Sequence, residues 1–165
     1  MAYVAIILIC MFKLLILDID GVLTNGRKTY NLEGDVISKE FNDKDFTAIK
    51  RFKNNNVNVC FLSADDRVNR SMASSRKVDF YCTRDFNIVD KVELLGFLLT
   101  KYNVSENEVA YVGDDRPDYA IIKQLQNTFC PKDSINKIKN NVSNILSKCG
   151  GAGVIAELYD IIYDE

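Results

Sequence analysis

Leu14-Leu15-Ile16-Leu17-Asp18-Ile19-Asp20-Gly21-Val22-Leu23-Thr24 is the stretch from which the fold can be read. Its apolar run, Leu14–Ile19, makes a short strand whose end is marked by two aspartates and a glycine. A strand with no polar face belongs in the middle of a sheet covered on both sides. Outward from it, short runs rich in β-branched residues alternate with segments of helical period. Strand-like are Lys28–Tyr30 and Val36–Phe41, a hairpin across Leu32-Glu33-Gly34-Asp35, then Val57–Ser63, Asp79–Cys82, Glu108–Val112 and Thr128–Cys130. Helix-like are Asp43–Asn54 with Asp43 as its cap, Val68–Lys77, Val89–Tyr102, Pro117–Gln126 and Ala152–Tyr163. The lysines and asparagines of Lys132–Lys148 read as a solvated helix face. This alternation predicts an α/β fold of three layers with a central parallel sheet and a small β-hairpin insertion.

Parallel sheets place their sites at the carboxyl ends of the strands. Here those ends are acidic or polar: Asp18 and Asp20 after the first strand, Ser63 with Asp65 and Asp66 after the next, Asp114 and Asp115 after Gly113, with Asp118 following. Lys91 opens the helix between them. Paired aspartates delivered to one sheet edge repel each other, and a hard cation such as Mg2+ relieves the repulsion. If the chain turns after Ile19, Asp20 can offer its backbone carbonyl to the metal and keep its carboxyl free. Gly21 permits that turn and a close approach of substrate to the backbone.

The chain has 165 residues, 21 Lys+Arg, 23 Asp+Glu, five Cys and no His. Without histidine there is no Ser-His-Asp or Cys-His site and no imidazole-bound zinc. A carboxylate nucleophile with a second carboxyl as general acid–base needs no imidazole and suffices for phosphoryl transfer. The net charge of −2 argues against a nucleic-acid footprint. The cysteines, odd in number and without a C-x-x-C pair, read as reduced thiols of a cytoplasmic protein. The length suits one domain, 1–165. The apolar run Ala2–Phe12 is too short to cross a bilayer and lacks the pattern of a signal peptide. Residues 1–10 are an extra strand or an extension, since Met11 could itself begin a chain.

With these residues in place the chain resembles the haloacid dehalogenase (HAD) superfamily of aspartate-nucleophile phosphatases. The motifs are Asp-x-Asp-Gly-Val-Leu-Thr at 18–24, Ser63, Lys91 and Gly-Asp-Asp-x-x-Asp at 113–118, in the family's order. Within it the chain is similar to the capless 3-deoxy-D-manno-octulosonate (KDO) 8-phosphate phosphatases and the related nonulosonate (sialic acid/KDN) 9-phosphatases. The supporting runs are 17–27, the hairpin after it, 41–45, 89–91, 109–118 and 150–153. The resemblance implies a Rossmann-like domain with no cap, Mg2+ dependence, and a homotetramer in which one subunit's hairpin covers a neighbour's site. It implies Asp18 as the nucleophile that becomes aspartyl-phosphate and Asp20 as the acid–base. Ser63 and Lys91 would hold the phosphoryl group, with Gly21, Thr24 and Asn25 as further substrate contacts. Asp18, the Asp20 carbonyl and Asp114 would bind Mg2+, with Asp115 behind them or through water; Asp118 is either a supporting residue or a helix start.

The chain departs from the family at Ala64, Asp65 and Asp66, where Gly and a basic residue usually follow the Ser; at Phe46; and at Ala152, where Arg usually stands. Residues 81–91 also run longer than usual. The expected substrate is a small sugar phosphate, with no nucleic acid and no membrane. Two rival readings are a non-catalytic relative that mediates oligomerisation beside sialic-acid activation and a receiver-type phosphoacceptor. Retention of Asp18, Asp20, Asp114 and Asp115 disfavours the first, and the early position of the Asp-x-Asp turn disfavours the second.

Overall fold

A computed structural model describes residues 12–163. Six parallel strands form one sheet in the order β5-β4-β1-β6-β7-β8: β1 Leu14–Leu17, β4 Asn58–Ser63, β5 Asp79–Cys82, β6 Val109–Val112, β7 Asn127–Cys130 and β8 Asn144–Ile145. The strands β2 (Thr29–Tyr30) and β3 (Val36–Ser38) pair antiparallel as the separate hairpin. All four residues of β1 are completely buried, as a central strand requires. Side-chain alternation splits them between two cores. Leu15 and Leu17 pack with Ile49 and Phe52 of α1 (Asp43–Asn54) and with Ile155 and Leu158 of α6 (Val154–Tyr163). Leu14 and Ile16 pack with Leu95 and Leu98 of α3 (Leu95–Tyr102) and with Ile121 and Ile122 of α4 (Tyr119–Gln124). The three-layer α/β expectation is borne out, with the inserted hairpin in its place.

The register sets the site. Leu17 pairs with Phe61 on one side and Val112 on the other, so the three strands run out together toward Asp18, Ser63 and Gly113. The last helix is tied to this edge by a buried carboxylate. Asp45 accepts the Ile155 and Ala156 N–H groups at 2.8 and 3.0 Å, satisfying donors that a helix start leaves free.

Several local expectations need correction. The cap of α1 is Asn42, whose side chain accepts the Lys44 N–H at 3.0 Å, while Asp43 faces solvent and pairs with Arg76. The expected helix from Val89 starts instead as a 3-10 turn at Lys91–Leu94 before α3, and that from Pro117 as a 3-10 turn at Arg116–Asp118 before α4. Helix α2 is shorter than its pattern, Asn69–Ser75. Lys132–Lys148 is not one solvated helix. It holds the single turn α5 (Asn136–Lys139) and the edge strand β8, because Ile138 and Leu146 are buried and pin the segment to the sheet. Cys60, Cys82, Cys130 and Cys149 are free thiols; Cys10 and the run before Phe12 lie outside the described residues.

Candidate active site

Asp18 leaves β1 buried, and its Oδ1 meets Lys91 Nζ at 2.6 Å. Lys91 is itself buried and equally close, 2.6 Å, to Asp118 Oδ1. A capping box from Asp90 and Glu93 fixes the turn on which Lys91 stands. Burial alone would discharge this ammonium, but the Asp118 and Asp18 carboxylates outweigh it and hold its pKa above the ordinary lysine value. Asp118 combines the two roles open to it in the sequence. Its Oδ1 also accepts the buried Tyr111 hydroxyl, and its Oδ2 accepts the Asp114 and Asp115 N–H groups at 2.9 and 3.1 Å.

Asp18, Asp114 and Asp118 each bring a carboxylate oxygen within 4.8 Å of the others. The four donors on Asp118 leave it no free lone pair aimed at a cation, whereas Asp114 Oδ1 is buried and takes no hydrogen bond among the described residues. Burial pushes the Asp18 carboxyl up to about 7 despite Lys91. Burial, followed by the charges of Asp18 and Asp118, pushes Asp114 up to about 9. Two oxygen donors that resist ionising together, one of them orphaned, fit a hard divalent cation. Asp115, expected behind the ligands or through water, is not part of that carboxylate group. Its side chain is exposed and spends Oδ1 on the Arg116 N–H at 2.7 Å, as the cap of the following turn.

Gly21 makes the close packing possible. It has φ +93°, and a Cβ there would sit 2.0 Å from Asp114 Oδ2. Gly150 performs the same service from the other side, because a Cβ on it would lie 2.1 Å from the Gly21 carbonyl oxygen. Thr24 is corrected from a substrate contact to a brace: it is wholly buried, and its Oγ1 accepts the Gly21 and Gly26 N–H groups at 3.3 and 3.1 Å. Asn25 is exposed and lines a cavity of ≈ 340 Å³ with Lys28 and Lys39. Ser63 is buried at the end of β4, where its Oγ accepts the Asp65 N–H at 3.1 Å.

Asp20 sits in a second cluster that sequence reasoning missed. Lys39 Nζ lies 2.9 Å from its Oδ1, and Asn69 Nδ2 donates to its Oδ2 at 3.0 Å. Asp65 joins this cluster, meeting Lys28 at 2.6 Å, Lys39 at 3.2 Å and Arg67 at 2.8 Å. Burial pushes the Asp65 carboxyl up, but hydrogen bonds from Arg67 and Lys28 and the Lys39 charge outweigh it and hold it well below the usual range. The acid that looked out of place beside a phosphate pocket is therefore neutralised, and Asp66 faces outward near Arg70 and Arg84. The sequence signal for Lys39 was a lysine inside the expected hairpin strand Val36–Phe41, just past the observed end of β3; Asn69 had none. Of the other departures, Phe46 packs on Phe41 beneath the Arg76 guanidinium, and Ala152 is exposed.

A parallel sheet that brings aspartates and a lysine to one carboxyl edge, with an Asp-x-Asp turn leaving its central strand, defines a hydrolase of the haloacid dehalogenase type. The model of the haloacid dehalogenase-like hydrolase family matches residues 87–158. The chain is 30% identical over 152 residues to the 3-deoxy-D-manno-octulosonate 8-phosphate phosphatase KdsC of Haemophilus influenzae, covering 91% of this chain and 82% of that protein. The cobalt-bound form of the Haemophilus influenzae deoxy-D-mannose-octulosonate 8-phosphate phosphatase superposes with a TM-score of 0.86 at 28% identity, covering 94% of this chain and 89% of the other. The Moraxella catarrhalis phosphatase, solved with magnesium, phosphate and KDO, shares the fold with a TM-score of 0.84 at 23% identity, covering 94% and 87%. The chain belongs to the KdsC phosphatase family of haloacid dehalogenase-like hydrolases.

Proposed function

We propose that this protein is a Mg2+-dependent phosphatase of an eight- or nine-carbon keto-sugar acid phosphate, with 3-deoxy-D-manno-octulosonate 8-phosphate as the first substrate to test. The observation that carries the reading is the buried Asp18–Lys91–Asp118 chain beside the unpartnered Asp114 oxygen. A non-catalytic relative would have no use for so costly a buried charge cluster. The similarity to the Haemophilus influenzae enzyme supports the substrate class.

In this mechanism the Asp18 carboxylate attacks phosphorus while the bond to the sugar oxygen breaks, and the Asp20 carboxyl gives that oxygen its proton. Water then attacks the phosphorus of the acyl phosphate and loses its proton to Asp20. The bond to Asp18 breaks, returning the carboxylate and releasing inorganic phosphate. Lys91 Nζ and Ser63 Oγ bind the phosphoryl oxygens in both steps. Asp18, Asp114 and the Asp20 carbonyl would hold Mg2+, which supplies charge neutralisation at the phosphoryl group.

The hairpin carries Tyr30, Leu32 and Ile37 exposed, with Leu32 fully so, which supports its burial against a second subunit in a homotetramer. No helix among the described residues is long and apolar enough to cross a membrane. The free thiols suit a reducing compartment and support a cytoplasmic location.

The decisive experiment is phosphate release from 3-deoxy-D-manno-octulosonate 8-phosphate, from a nine-carbon 9-phosphate and from an aryl phosphate. Mg2+-dependent release that is lost in Asp18→Asn and with chelator is expected, with a preference for one of the two sugar acids. Turnover that survives both treatments would show the mechanism to be wrong. Light scattering in solution tests the tetramer, and a monomer at working concentration refutes it.

A further inference from the structure

The carboxyl of Asp20 is held from two sides. Lys39 Nζ lies 2.9 Å from Oδ1 and 3.0 Å from Oδ2, and Asn69 Nδ2 donates to Oδ2 at 3.0 Å. The Lys39 side chain has no exposure to solvent, and Asn69 is likewise fully buried. Both holders are fixed in turn. Lys39 donates to Asn69 Oδ1 at 2.9 Å and to Asp65 Oδ2 at 3.2 Å, and Asn69 donates to the Asp65 carbonyl at 2.9 Å. Just before Asn69, Val68 takes φ +65°, which a β-branched residue adopts only when its surroundings compel it. Burying an ammonium is costly, and a flexible four-carbon chain loses its freedom in the process. The hydrogen bonds of Lys39 run to Asp20, Asp65 and Asn69, and Asn69 in turn donates to Asp20, so two linked buried side chains bear on the same carboxyl.

We propose that Lys39, assisted by Asn69, is a positioning residue that fixes the Asp20 carboxyl for its two proton transfers; this rests on the phosphatase reading above. Proton transfer depends first on geometry, so a carboxyl free to rotate away loses both steps. The two steps respond differently to the leaving group. A sugar alkoxide needs the Asp20 proton to depart, whereas nitrophenolate leaves without one. Attack of water on phosphorylated Asp18 needs Asp20 whichever substrate made it.

Rapid-mix kinetics of Lys39→Met with Mg2+ reads the difference. With p-nitrophenyl phosphate the variant is expected to release one nitrophenolate per site in a burst, followed by turnover about 100-fold slower than wild type. With 3-deoxy-D-manno-octulosonate 8-phosphate it should show no burst and a similarly reduced kcat, with KM moved by less than about threefold. Lys39→Arg, which keeps the charge and the donors, should recover part of the rate. Asn69→Ala removes one donor and no charge. It should show the same burst with turnover slowed about 10-fold, which keeps the test available if Lys39→Met does not fold. Either folded variant turning over at the wild-type rate, or losing nitrophenolate release with no burst, overturns the positioning role. Wild-type protein that releases phosphate neither from p-nitrophenyl phosphate nor from the sugar-acid phosphates overturns the phosphatase reading and the positioning role with it.

Discussion

Two charge clusters flank the end of β1, and they are balanced in opposite ways. Around Asp18, three carboxylates (Asp18, Asp114, Asp118) share the single ammonium of Lys91. Around Asp20, two carboxylates (Asp20, Asp65) share three cations, Lys28, Lys39 and Arg67. The first cluster is short of positive charge by the charge of one divalent ion, and the second carries an excess suited to an anionic substrate. The pKa values register this contrast: Asp18 and Asp114 are pushed up, Asp65 down. Neighbouring aspartates on one sheet edge thus take different tasks because of the cations folded against them.

The contrast is broken most forcefully at Lys91. Lys91→Met leaves Asp18 and Asp118 buried without their cation, and urea titration should show a loss of about 3–5 kcal/mol together with loss of turnover. The next test is pH. In the metal-free protein the raised pKa values of Asp18 and Asp114 favour the protonated folded form. Their contribution to stability is present below the ordinary value of 3.8 and is lost as pH rises through about 7 and about 9. Mg2+ favours the ionised pair, so the rise in thermal midpoint that it produces should grow from about pH 5 to about pH 9. A flat difference would mean that the pair is not where the ion binds.

Gly21→Ala probes the packing that makes the deficit possible. With φ +93° and its Cβ forced onto Asp114, it should cost about 1–3 kcal/mol and lower Mg2+ affinity by about 10-fold or more, read by calorimetry. The smallest effect is expected in the cluster with charge to spare. Lys28→Met leaves Asp65 with Lys39 and Arg67, and stability should change by no more than about 1 kcal/mol.

The legible part of the molecule is the part written in short-range patterns. An apolar tetrad ending in Asp18, the glycine of the turn and the polar strand ends were enough for the sheet, its parallel sense and the Asp18–Lys91–Asp114 cluster. Patterns failed where one residue type serves two ends. Asp115 and Asp118 look alike in Gly-Asp-Asp-x-x-Asp, yet Asp115 caps a turn at the surface and Asp118 clamps Lys91 inside. Thr24 looked like a substrate hydroxyl because nothing local reports that its oxygen is spent on the Gly21 and Gly26 amides.

The amino-acid sequence by itself determined the strand–helix alternation, the acidic edge and a chemistry without imidazole, because hydrophobic periodicity and side-chain type act over a few neighbouring residues. Only the tertiary structure decided which carboxylates share a cation. Lys39 reaches Asp20 across 19 residues, and Asn69 reaches it across 49. Whether a carboxylate is left needing a metal or is held ready for a proton depends on those long-range partners and on the burial that makes their charges count.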